Sequence, residues 1–369
     1  MNWSLISRYL YEEGEELAIA GDGTTISKSG KASYGLGRYF SSIVNRPIKG
    51  LSFFSYSIVN VNRRCSFPML MRQLTKADQA RSEEKREQPD EKRKRGRPKG
   101  RKNKNRRDIP LSPMNHKLQT YLKEVLDVIG DTIKITYCLL DGAFGNNEAI
   151  QMVRRVGLHI VSKLNRRSAL YHPFVGEQKK RGARRKYGEK IDYKALPKEK
   201  LQSSRVEDGI ETLVYQFHAW HKKIADQLNV VVIVKTDQAT GKRGHVVLFS
   251  TDLVLGWEKL IDLYVLRFQI EFNFREAKQF WGLEDFMNIK PLQIFNAANL
   301  AMFMVNIAHL LWQFLPVTQG STQDLKTVFR GRVYATHLLK FLPEPLDPLL
   351  MDQFLQEICS LGAIHPTKT

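Results

Sequence analysis

Three carboxylates stand where they could act together on one substrate. Asp22 and Asp141 each close an apolar run and precede a glycine, in Ala-Gly-Asp-Gly and Leu-Leu-Asp-Gly. In open sheets, ligands and catalytic groups collect at the carboxyl ends of strands. An Asp-Gly pair also commonly opens a turn, so either aspartate alone is ambiguous. Glu271 belongs to a different pattern. Tyr264, Arg267, Glu271 and Lys278 follow one another at spacings of three, four and seven, which aligns all four along one helical stripe. The plain alternative is a solvated face on which Arg267 pairs with Glu271 one turn on. Against it, the same segment carries Leu263, Leu266, Phe268, Ile270, Phe272, Phe274, Phe280 and Trp281. A helix apolar nearly all round reads as buried, and charges on it require a reason.

Three carboxylates meeting at one point would form a hard-oxygen site suited to magnesium or manganese, which keep waters and bind substrate phosphates. Two such ions, about 4 Å apart, activate an attacking water or 3′-hydroxyl and stabilise the leaving oxygen of an in-line displacement. That is phosphodiester chemistry. Arg267, Tyr264 and Lys278 would then hold phosphates by charge and hydrogen bonds.

The surrounding elements are legible from pattern. Glu16 to Asp22 reads as a strand, and Gly50 to Val61 and Cys65 to Leu74 as two more in an antiparallel start. Thr75 to Pro113 is almost devoid of apolar residues and reads as an exposed loop. Met114 to Ile129 has helical periodicity, Ile133 to Asp141 reads as a strand, Asn146 to Val156 as a helix and Gly157 to Lys163 as a strand. Arg166 to Thr251 has short β-branched runs broken by turns, the texture of an inserted β-rich subdomain. Trp257 to Trp281, free of Gly and Pro, reads as one long helix, Pro291 to Leu315 as a second, and the C-terminus as helical. Thr24 to Ser29 reads as a surface turn, and Tyr34 and Tyr39 as core or strand residues.

Composition narrows the partner. The 369 residues carry a formal net charge of +20, which favours a polyanion because cations that neutralise phosphates release condensed counterions. No apolar run of transmembrane length, signal peptide or lipidation motif is read in the chain, so nucleic acid is preferred over a membrane. Cys65, Cys138 and Cys359 lie far apart among apolar neighbours and read as reduced core residues of a cytosolic protein. His218 and His221 have ligand-like spacing without a matching pair, which favours a structural role over zinc.

Lys92 to Arg107 holds eleven cationic residues and no acid. Its centre, Arg95-Gly96-Arg97-Pro98-Lys99-Gly100-Arg101, resembles an AT-hook, an extended core that enters the narrow minor groove of A·T-rich DNA. Gly allows close backbone approach, Pro keeps the chain extended, and Arg seeks the enhanced negative potential there. A basic loop that binds phosphates through Arg95, Arg97, Lys99 and Arg101 without base preference fits equally well.

The pattern Tyr264, Arg267, Glu271, Lys278 also resembles the signature of the insertion-sequence-four group of bacterial DDE transposases, matching it at every position. Asp22 in Ala-Gly-Asp-Gly-Thr-Thr and Asp141 in Leu-Leu-Asp-Gly-Ala-Phe sit in contexts similar to that family's two aspartates, and Gly282 to Phe286 is similar too. The likeness runs roughly from Leu17 to His309. It implies an α/β, ribonuclease H-like mixed sheet flanked by helices, with a β-rich insertion subdomain and a helical C-terminal region. The segments would be 1–74 and 114–165 for the two parts of the core, 75–113 for the basic loop, 166–251 for the insertion, 252–290 for the catalytic helix and 291–369 for the helical end. It also implies cut-and-paste movement of an insertion sequence, Asp22, Asp141 and Glu271 as the metal-binding triad for two Mg2+ or Mn2+ ions, double-stranded DNA as partner at element ends and target, and a homodimer on DNA in the cytoplasm, near the nucleoid. Members normally carry an N-terminal DNA-binding region, whereas 21 residues precede Asp22 here, so an N-terminally truncated product is one expectation. A catalytically silent DNA-binding protein that interferes with a full-length transposase is the alternative, and a ribonuclease H-like nuclease without strand transfer is a third.

Overall fold

After a short helix α1 (Asn2–Leu5) and a π-type turn (Ile6–Leu10), the chain enters four strands, β1 (Leu17–Ser27), β2 (Gly37–Ser41), β3 (Arg46–Asn60) and β4 (Cys65–Leu74). A one-turn helix α2 (Lys76–Gln79) follows, then α3 (Pro113–Ile129), β5 (Tyr137–Leu140), α4 (Asn147–Arg154) and β6 (His159–Leu164). Six further strands come next: β7 (Leu170–Pro173), β8 (Tyr187–Lys190), β9 (Leu201–Glu207), β10 (Ile210–His221), β11 (Leu228–Asp237) and β12 (Arg243–Ser250). The helices α5 (Trp257–Leu266), α6 (Gln269–Phe280), α7 (Pro291–Trp312), α8 (Thr322–Leu339) and α9 (Pro348–Ser360) complete the order. This computed structural model describes residues 1–41, 44–79, 105–313, 321–341, 347–361 and 364. Arg95, Arg97, Lys99 and Arg101, the AT-hook-like core, lie outside the described residues.

Residues 14–271 form one compact unit. Its core strands run β4-β3-β1-β5-β6, with β1, β3 and β4 antiparallel and β5 and β6 parallel to β1. Numbered by appearance within this core, the order is 3-2-1-4-5, the arrangement of a ribonuclease H-like sheet. From Gly50 onward β3 is buried at every position, as expected of a strand enclosed on both faces. Helix α3 starts where Ser112 caps it by accepting from the Asn115 amide and Pro113 fills the first turn, and it stops at Gly130, whose φ is +62°. Leu118, Leu122, Val125 and Ile129 form its buried stripe. Burying each contributes roughly 1.5–3 kcal/mol, and the Tyr56 hydroxyl donates to the Leu118 carbonyl at 3.1 Å, fixing helix to sheet. Helix α4 is capped by Asn146 and buries Ala149, Ile150, Met152 and Val153.

The β-rich segment is present and joins the core sheet instead of forming a detached one. β12 pairs with β6, Val247 opposite Leu164, and β11, β10 and β9 extend the sheet beyond it. The β9–β10 hairpin turns on Asp208-Gly209, both at positive φ (+49° and +73°), the geometry that Asp-Gly favours.

Three sequence readings are corrected. The run Glu16 to Asp22 does not end at Asp22. The strand continues to Ser27 because β3 is long enough to pair along all of β1, from Leu17↔Asn60 to Ser27↔Gly50. Thr24–Ser27 are therefore strand and not turn. The helix read over Trp257 to Trp281 breaks at Arg267-Phe268, where bonds tighten to the i→i+3 type, Ile270 N to Arg267 O and Glu271 N to Phe268 O. That segment is also not buried all round, since Val265 and Phe268 are about half exposed.

Residues 1–13 and 272–369 form the second unit, which is helical. In it Asn306 on α7 donates to the Asn2 side chain at 2.8 Å, and a Ser321–Asp324 capping box opens α8. The third correction falls here: α7 is long and apolar enough to cross a membrane by length and composition, although no such run was read in the sequence. Within the chain it buries Ile294, Ala298, Ala301, Met302, Val305, Asn306 and Ala308.

Candidate active site

Parallel pairing of β1 with β5 sets Gly21 opposite Leu140, so the residues that follow, Asp22 within β1 and Asp141 just past β5, come to the same level of the sheet. Close approach depends on Gly21: a Cβ there would lie 2.7 Å from the Tyr56 ring and 2.9 Å from Leu140 Cδ2. Asp22 is mid-strand, at the point where β1 loses β5 as a neighbour and keeps β3. Asp141 does stand at a strand end. It caps a 3-10 turn (Gly142–Phe144), accepting from the Ala143 amide at 3.1 Å, and its carbonyl accepts from the Ser162 hydroxyl at 2.6 Å.

Arg267 joins the third acid to the first. Its Nη1 donates to Asp22 Oδ2 at 3.0 Å and its Nη2 to Glu271 Oε1 at 3.3 Å. The side chain is only 12% exposed, and its buried Nε has no partner among the described residues. The Arg267 guanidinium carbon lies 5.9 Å from the centre of the Tyr264 ring. The helix break thus falls at the residue that two carboxylates hold, in a segment with no Gly or Pro to cause it. Lys278 belongs to the helical unit and pairs there with Glu284 at 3.2 Å.

The electrostatics of the cluster are those of crowded acids. Burial, the largest cause, raises the Asp22 carboxyl to about 6; Arg267 and the Gly23 amide, which donates at 2.7 Å, oppose the rise, while Asp141 and Glu271 add to it. Asp141 and Asp22 also raise the Tyr264 hydroxyl, after burial and against Arg267. Asp22, Asp141, Glu271, Arg267 and Tyr264 therefore share one electrostatic neighbourhood. The acids suit a hard divalent cation in donor type. Among the described residues, however, no three such groups already surround a common point, and Asp22 and Glu271 direct oxygens at Arg267 instead.

Sequence reading missed Ser162 and Lys163. Ser162 holds the Asp141 carbonyl, and a Cβ on Gly142 would come within 3.0 Å of Lys163 Cε. Their signal was positional: the strand read as Gly157 to Lys163 runs parallel beside the one that delivers Asp141. His218 and His221 have local duties, His218 Nε2 donating to the Leu253 carbonyl and His221 Nδ1 accepting from the Lys223 amide.

A ribonuclease H-like sheet with two aspartates on adjacent parallel strands defines a nuclease-type α/β core. A family model described as DDE superfamily endonuclease matches residues 5–227, more than half of the chain, and the chain belongs to that superfamily. The matched span contains Asp22 and Asp141 and ends before Glu271. No curated protein matches the chain. Membership makes this a transposase-like nuclease whose family acts on DNA.

Proposed function

We propose that the protein is a DNA transposase of the insertion-sequence-four group, cleaving DNA strands and transferring them so that an insertion sequence moves by cut-and-paste. The observation that carries this reading is the bridge of Arg267 between Asp22 and Glu271. It unites an acid of the first strand with an acid 249 residues later in sequence, beside Asp141. Asp22, Asp141 and Glu271 would hold Mg2+ or Mn2+, two ions in the full reaction. The ions would supply charge to the transferring phosphate and lower the pKa of the attacking water or 3′-hydroxyl.

The chain's own groups have separable tasks. Ser162 and the Ala143 amide orient Asp141 from its backbone and its carboxylate. Arg267 neutralises the acids and would be available to meet a phosphate were they to hold metal, with Tyr264 flanking it. Lys278 and the basic residues Arg95, Arg97, Lys99 and Arg101 add contacts to the DNA backbone or minor groove. A homodimer working on paired ends, in the cytoplasm near the nucleoid, belongs to the same reading.

Nicking of supercoiled plasmid by the purified chain in Mn2+ tests it. Asp141→Ala should abolish nicking while DNA binding persists; undiminished nicking removes the triad assignment. A second reading, a catalytically silent DNA-binding protein, is favoured by the hold that Arg267 already has on Asp22 and Glu271. Its signature is binding with no Mn2+-dependent scission.

A further inference from the structure

The turn after β6 places three cations together within the 14–271 unit. Lys163, Arg166 and Arg167 line an open hollow of about 540 Å3 with Asn165 and His245, and among the described residues no acid lines it. The turn is stiff. The Ser168 amide donates to the Asn165 carbonyl at 2.9 Å, and the Arg167 amide to the Asn165 side chain at 2.9 Å. His245 Nε2 donates to the Arg166 carbonyl at 2.8 Å, while its ring stacks on Tyr193 with centroids 4.7 Å apart. The backbone that presents the cations is therefore held from two sides.

The three charges themselves are unspent. Elsewhere in this unit Arg63, Arg64, Arg72, Arg107 and Arg267 each meet a carboxylate. Lys163, Arg166 and Arg167 are exposed and have no carboxylate partner among the described residues. Such a group repels itself, and the guanidiniums of Arg166 and Arg167, more weakly hydrated than an ammonium, suit phosphate. Its place is also informative. Ser162, the neighbour of Lys163, holds the Asp141 carbonyl, and the Lys163 stem lies against Gly142, the next residue after Asp141.

We propose that Lys163, Arg166 and Arg167 form a phosphodiester-binding notch that grips the DNA backbone on the Asp141 side of the reaction centre. The inference rests on the reading of the site as a DNA-cleaving one for its purpose, but its test does not depend on cleavage. Fluorescence anisotropy of a labelled duplex of mixed sequence is measured on the full chain in EDTA, from 50 to 200 mM KCl. Each phosphate contact contributes roughly 0.9 to the slope of log affinity against log salt. Lys163→Gln/Arg166→Gln/Arg167→Gln should therefore flatten the slope by about two to three, and Arg167→Gln alone by about one. A charge-matched control, Lys179→Gln/Lys180→Gln/Arg181→Gln, should change it by less than half as much, all variants being checked for an unaltered thermal melt. Equal flattening by the control, or none by the triple variant, overturns the notch. A chain that nicks no plasmid in Mn2+ yet loses slope in the triple variant retains the notch and loses the cleavage reading; the opposite pair of results does the reverse.

Discussion

Arg267 and the Lys163–Arg167 turn show two uses of positive charge in one folding unit. Arg267 is 12% exposed and bound to two carboxylates, whereas Lys163, Arg166 and Arg167 are exposed and line a hollow that has no acid among the described residues. The first is an internal counterion: it relieves repulsion among acids that the fold has forced together, and its loss is felt by the protein itself. The second relieves nothing among the described residues, so its loss should be felt only by a ligand. Stability and affinity measurements should therefore separate the two clusters, and a variant that moved both would break the distinction.

The largest effect is expected at Arg267. Replacing it by Leu leaves Asp22 and Glu271 without their cation, and removal of one partner of a buried pair costs several kcal/mol. Because the Glu271 side chain is 40% exposed, a value near the low end applies, about 3 kcal/mol in EDTA. Added Mn2+ should recover much of that loss in a thermal melt, since a cation bound by the acids does the neutralising that Arg267 did. An unchanged melt in EDTA would show that the bridge contributes nothing. Gly21→Val comes next. Its side chain would overlap Tyr56 and Leu140, an overpacking that costs about 1–3 kcal/mol, and chemical denaturation should report it with or without metal.

A third expectation concerns pH. The Asp22 carboxyl titrates at about 6 in the folded chain against an ordinary value of 3.8. Between those values the folded state binds the extra proton, so stability is fullest below about pH 4 and is lost as pH rises through about 6. The span corresponds to about 2 kcal/mol, allowing for partial solvent screening. The melting temperature of Asp22→Asn minus that of the parent, in EDTA, should climb from pH 4 to 6 and then level off. A difference that stays flat across that range would refute the burial argument for Asp22.

Much of the core was legible in the sequence. Burial on one or both faces leaves a periodic trace, so β4 matches the run read for it, α3 starts only one residue earlier, at Pro113, β5 and α4 lie within the segments read for them, and β6 runs one residue beyond its segment, to Leu164. Features set by partners left no such trace. β2 buries Tyr39 and Ser41 but exposes Arg38 and Phe40, and it pairs only with the first five residues of β3, so no apolar run marks it. Asp22 looked like a strand end because Asp-Gly is good turn chemistry, yet pairing with β3 carried the strand through it. The break at Arg267 has no local signal, since the groups that hold the arginine lie 245 residues upstream and four downstream. Lys163 read as the end of a strand; only the parallel register of β5 and β6 brings it beside the residues that follow Asp141.

The smallest expected effect tests how Arg267 is oriented. The Tyr264 ring centre lies 5.9 Å from the guanidinium carbon, at the outer edge of the distance at which a cation and an aromatic face attract, where the interaction is worth about 0.5–1 kcal/mol. Two charged hydrogen bonds to Asp22 and Glu271 outweigh it, so the acids and not the ring should set the position of Arg267. In a double-mutant cycle of Tyr264→Leu with Arg267→Leu, measured by denaturant unfolding in EDTA, the coupling should stay below about 1 kcal/mol. A coupling of about 2 kcal/mol or more would make the ring a principal support, and Arg267 would then be placed by its own helix before the acids reach it. That result would recast the bridge as a consequence of helix packing and weaken the contrast with the Lys163–Arg167 turn, whose cations no acid among the described residues holds.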